Sequence, residues 1–155
     1  MSNLKILKVI QEMSQIENYD GALDWEKEFN AALPIEDLNE IIFSLADLDI
    51  EVKATLLCFI AVAGYGEIKN EVLKLIDCEI SEVKLEVAVA LGALGDPRGV
   101  EIGIELLEKT NAQILNDQYP DLELSWIPEI FRKYNIKGAE EIIKRYELFK
   151  SASKN

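Results

Sequence analysis

The apolar positions of residues 82–108, EVKLEVAVALGALGDPRGVEIGIELLE, fall into two runs separated by a sharp corner. In the first run Val83, Val87, Ala90, Leu91 and Leu94 recur at spacings of three and four, the period of one helix face. Ala88, Gly92 and Ala93 lie between them and are small enough to let other helices come close. Gly95 can close this helix in a left-handed conformation. Asp96 can cap the next one, and Pro97 suits its first turn, where a missing N–H is no loss. In the second run Val100, Gly103, Ile104 and Leu107 form an apolar stripe, with Glu101, Glu105 and Glu108 as a solvated stripe beside it. The pattern predicts a helical hairpin whose first helix is buried on several sides.

A shift of 31 residues finds the hairpin again. Glu51-Val52-Lys53 lies over Glu82-Val83-Lys84, Ile60 over Leu91 and Gly64 over Gly95. Leu73, Leu75 and Ile76 lie over Ile104, Leu106 and Leu107. A fixed period in this range is the mark of stacked helical repeats. The clear repeats span 51–80 and 82–110. Two degenerate ones are expected at 22–48 and 124–149. In the first of these, Trp25 and Phe29 stand one turn apart as a packing pair, and Pro34 opens the second helix. Residues 3–17 read as an N-terminal capping helix. In the last repeat Gly138-Ala139 answers Gly99-Val100 at an offset of 39, and the additional residues fall in 110–123, which reads as one long irregular connection. The expected architecture is a single all-α domain over 1–155, a short right-handed α-solenoid of about four hairpins behind the capping helix.

The stretch VAVALGALGDPRGVEIGIELL resembles the HEAT-like repeats named after phycobilisome lyases. Ala88, Ala90-Leu91-Gly92, Leu94-Gly95-Asp96-Pro97-Arg98, Val100 and Leu106-Leu107 carry the likeness. The resemblance implies paired antiparallel helices stacked side by side. It implies little about function, because members of that family serve as scaffolds, lyases, repair enzymes and inhibitors.

Charge changes the picture more than composition does. The chain has 155 residues and a net charge of −13, unevenly placed. Residues 1–49 hold 11 acidic and 3 basic side chains and residues 50–110 hold 11 and 6, whereas residues 111–155 are balanced at 7 and 7. A field of that sign repels nucleic acid and anionic membrane and attracts basic proteins. No apolar run reaches the ~18 residues of a membrane span. The N-terminal stretch MSNLKILKVIQEM does not read as a signal peptide, since Glu12 follows so closely and no small-residue cleavage site comes after it. Two cysteines, Cys58 and Cys78, suit a reduced, cytoplasmic setting better than a disulfide framework.

Candidate chemistry is thin. The chain has no histidine, which removes Ser-His and Cys-His nucleophile pairs and histidine metal ligands. It has no Cys-x-x-Cys pair and no phosphate-binding glycine loop, and Cys58 sits at an apolar position between Leu57 and Phe59, as a core thiol does. Neither an enzyme nor a cofactor is expected. The expected function is an acidic protein-binding module without nucleic-acid or membrane partners. Its sharpest version is an immunity protein that neutralises a basic toxin such as a nuclease domain, and the chain bears some resemblance to small helical-repeat immunity proteins of bacterial toxin systems. The alternatives are a generic HEAT-repeat scaffold or adaptor, or a bilin-lyase-like enzyme. The candidate partner-binding residues are Glu71, Glu101, Glu105 and Glu108 on the second helices, Asp117, Tyr119, Asp121 and Glu123 in the connection, and Trp126 just after it.

Overall fold

In the computed structural model, residues 3–115 and 126–152 are described, with side chains for 3–109, 126–148 and 151. Regular structure among the described residues is helical throughout: α1 (Leu4–Met13), α2 (Tyr19–Leu23), α3 (Glu26–Ala31), α4 (Leu38–Ser44), α5 (Ile50–Val62), a 3-10 turn (Gly66–Ile68) leading into α6 (Lys69–Leu73), α7 (Ser81–Ala93), α8 (Arg98–Leu115), α9 (Trp126–Lys133) and α10 (Ala139–Ala152). No helix among them is long and apolar enough to cross a membrane.

The core is built on α5 and α7, which pack against each other. Every residue of 54–61 and of 85–92 is buried. A helix that is apolar all round belongs inside a protein, and here α2, α6, α8 and α9 pack around the pair. Small residues make that enclosure possible. A Cβ on Gly99, in the first turn of α8, would overlap the Gly92 amide nitrogen and the Ala88 carbonyl oxygen of α7. The two backbones are therefore in direct contact, and only glycine fits between them.

The corner after α7 has the expected chemistry. Gly95 takes φ +81°, the left-handed conformation that costs glycine least. Its N–H donates to the Gly92 carbonyl at 3.0 Å, and the Asp96 N–H donates to the Leu91 carbonyl at 2.9 Å. These are the two bonds of a Schellman closure. Asp96 then caps α8 by accepting the Arg98 N–H at 3.0 Å. Its buried carboxylate also meets the Arg98 guanidinium at 2.6 Å and the Lys69 ammonium at 2.9 Å. The Arg98 contacts and then Lys69 hold that carboxyl well below the usual range.

The same closure recurs after α5 and after α9. At the first, Gly64 (φ +101°) bonds Ala61 and the Tyr65 N–H reaches Ile60. At the second, Asn135 (φ +53°) bonds Arg132 and the Ile136 N–H reaches Phe131. Asparagine tolerates the left-handed region better than other non-glycine residues, so this third corner is hidden from a search for glycine. It places Asn135 opposite Gly95.

Several boundaries differ from expectation. The stretch 22–33 is two short helices, because Trp25 N–H bonds Ala22 in a tightened i+3 turn between them. Phe29 is buried and its ring meets Phe59 of α5, 5.4 Å between centroids, while Trp25 packs half-buried on the same core. Pro34 does not open a helix. It follows a cis peptide bond, and α4 starts at Leu38 under the Asp37 cap. The Asn3 side chain pins this loop to the start of α1, donating to the Asp37 carbonyl at 2.8 Å and accepting the Glu36 N–H at 2.9 Å. α8 continues to Leu115, so residues 110–115 are helix and not the start of an irregular connection. Finally, α3 touches α9 and the turn after it: Glu26 of α3 accepts from Lys133 of α9 and from Tyr134, both at 2.8 Å.

Candidate functional site

Glu101, Glu105 and Glu108 are spaced three and four apart on α8 and all three are exposed, on one side of the helix. Glu101 and Glu105 line a surface groove of about 430 Å³. Asp77 and Glu79, from the link between α6 and α7, line it too, with Lys84 and Arg98 as its cations. Arg98 is already committed to Asp96. The groove is therefore net negative. Glu108 stands outside it and meets Arg145 of α10 at 3.3 Å. That pair is open to solvent on both sides, a setting in which ion pairs contribute under about 1 kcal/mol. Glu71, half-buried on α6, bonds Lys74 at 2.9 Å and lines a separate hollow of about 330 Å³ beside Lys53 and Phe43. The Phe43 ring is 83% exposed. Asp117, Tyr119, Asp121 and Glu123 lie outside the described residues.

Trp126 belongs to a different place. It begins α9 and lines a cavity of about 280 Å³. The walls are Tyr19, Trp126 and Tyr134 with Leu23, Leu85 and Ile130, and the charged groups on it are Glu26, Glu129 and Lys133. This cavity and the acidic groove have no lining residue in common.

Beneath the cavity lies a polar cluster that the pattern of the chain does not reveal. Glu86 of α7 is 1% exposed. Tyr19 donates its hydroxyl proton to Glu86 Oε1 at 2.8 Å. Oε2 has no hydrogen-bond partner among the described residues. Burial pushes this carboxyl up to about 7, against the pull of Tyr19 and of the Cys58 thiol beside it. Burial first, then the adjacent Glu86, raises Tyr19 and Cys58 alike. Cys58 is accordingly a buried protonated thiol, poorly suited to nucleophilic attack. Tyr134, at the cavity rim, is raised by burial and by its bond to Glu26.

The signal for Glu86 was present but ambiguous. Glu86 stands three residues after Val83 and four before Ala90, at the edge of the α7 stripe. Its partner Tyr19 is 67 positions away in sequence, beyond the reach of that pattern. The chain matches no protein-family model, no curated protein and no solved structure.

Proposed function

We propose that this chain is an acidic protein-binding module, built as a short right-handed solenoid of HEAT-like hairpins, that receives a basic protein partner along α8. The three Schellman closures, at Gly64, Gly95 and Asn135, support the repeat reading, since each ends the first helix of a hairpin in the same way. In this reading, the Glu26 contacts to Lys133 and Tyr134 join the first hairpin to the last.

The observation that carries the functional reading is the groove lined by Asp77, Glu79, Glu101 and Glu105, where carboxylates outnumber cations and one of the cations is neutralised from behind. Such a surface raises the encounter rate with a basic protein and fixes its orientation. In the sharpest form of the reading, the partner is a basic toxin domain whose nucleic-acid cleft the acidic face covers. A scaffold or adaptor would use the same surface. A cytoplasmic setting suits Cys58 and Cys78, both free thiols.

Affinity capture from source cells on the immobilised chain tests this. The expected result is a basic protein retained at about 0.1 M salt and released towards 1 M, as the screening length falls from about 10 Å to about 3 Å. Retained proteins that are acidic or neutral, and are held through high salt, would contradict it.

A further inference from the structure

The cavity between the first and last hairpins plays no part in recognition along α8. We propose that it is a binding site for an organic cation, an ammonium or guanidinium on an apolar stem the size of an arginine or lysine side chain. Its volume of about 280 Å³ suits a ligand of that size, at the small end of the ~300–1,000 Å³ typical of ligand pockets. Its aromatic residues, Tyr19, Trp126 and Tyr134, offer ring faces that attract cations. Its aliphatic residues can cover the stem.

Charge selects the sign of the ligand. Glu26 and Glu129 lie on the cavity. The single cation among the described lining residues is Lys133. Its ammonium sits 5.0 Å from the Tyr134 ring centroid and 2.8 Å from Glu26 Oε2. That is the geometry a ligand cation would take, adopted by the chain's own side chain. Lys133 is 58% exposed on a flexible stem, so a ligand can displace it at little cost. An anion would meet carboxylates instead, and a neutral ligand could gain hydrogen bonds from them but not the charge attraction.

A small-molecule amine and a basic side chain of a protein share this chemistry. The test titrates n-butylguanidinium, and its neutral near-isostere n-butylurea, into the native chain. Binding is followed by calorimetry and by the Trp126 indole N–H resonance. The expected result is a Trp126 shift with butylguanidinium and affinity at least roughly tenfold above that of butylurea. Glu26→Gln should remove at least roughly tenfold of that affinity, and Lys133→Met, which takes away the resident cation, should raise it several-fold. A Gly/Ser peptide carrying one arginine that binds more tightly than butylguanidinium points to a protein ligand. Equal or weaker binding of the peptide points to a small molecule. Equal binding of butylurea, or no Trp126 shift with either compound up to about 20 mM, overturns the proposal. Should Glu26→Gln lose its helical circular dichroism, the comparison of the two compounds on the native chain decides alone. None of these readouts depends on the partner proposed for α8.

Discussion

Replacing Leu91 with alanine is expected to destabilise the chain by about 2–5 kcal/mol, the range for truncating a fully enclosed leucine. Leu91 is 0% exposed and stands at the matched position of Ile60, also 0% exposed. Its carbonyl accepts the Asp96 N–H that closes the corner. The deleted side chain leaves a void lined by α7's neighbours, which are themselves held by contact with other helices and cannot readily collapse. A domain of this size has about 5–15 kcal/mol in hand, so the loss is a large fraction of the total. Glu105→Ala, on the exposed side of α8, should stay within about 0.5 kcal/mol. Urea unfolding of both variants checks the pair. A loss under about 1 kcal/mol for Leu91→Ala would show that the core does not centre on α7.

Glu86→Gln should have an effect that depends on pH, the variant gaining stability on the native chain as pH rises. The carboxyl is pushed up to about 7 in the folded chain, against an ordinary value of 4.5. Between those values the folded state holds a proton that the unfolded state has released. The stability this group contributes is therefore complete below pH 4.5 and lost as pH rises through about 7. Above that, the folded chain carries a buried carboxylate at a cost of about 3 kcal/mol. Glutamine keeps an oxygen for the Tyr19 hydroxyl and carries no charge to desolvate, though its amide N–H groups need acceptors, which costs about 1–3 kcal/mol where they find none. Relative to the native chain, the variant should gain about 2–3 kcal/mol between pH 5 and pH 8. Tyr19 from α2 and Cys58 from α5, which touch Glu86, are both raised and remain protonated across that window, and Glu26 and Lys133 act on it only through their charge. Denaturant unfolding at pH 5, 6, 7 and 8 gives the two curves. Parallel curves would mean that Glu86 is charged in both states throughout.

Leu91 and Glu86 also mark what the linear pattern can and cannot carry. Leu91, Gly95 and Asp96 were legible because their roles are local: a stripe at helical spacing, a left-handed closure, a cap two residues from the N–H it accepts. The small residues of α7 were legible as invitations to close packing, and Gly99 shows that contact at its tightest. What failed was of two kinds. Helix boundaries near Trp25 and Pro34 depend on turn geometry and on the Asn3 clamp, which joins residues more than thirty positions apart. The cavity depends on Glu26 meeting Lys133 across 107 positions and Tyr19 meeting Glu86 across 67. Periodicity has no memory over such distances. It therefore gave no sign that Glu86 is a buried polar contact, and left Trp126 beside a connection when it belongs to a cavity wall. The acidic stripe of α8 was legible as exposure, but its division into a groove and an ion pair with Arg145, and the separate hollow at Glu71 on α6, were not.

The reading of α8 as a recognition surface is tested most directly by reversing its charge. Glu101, Glu105 and Glu108 are changed together to lysine, and the native and reversed chains are compared as bait for the same captured partner, with affinity measured at low and physiological salt. The expected result is native helicity, loss of at least roughly a hundredfold in affinity at low salt, and most of that loss in the association rate, where long-range charge acts. A partner bound equally well by both chains, with an association rate indifferent to salt, would contradict the claim that this face does the binding.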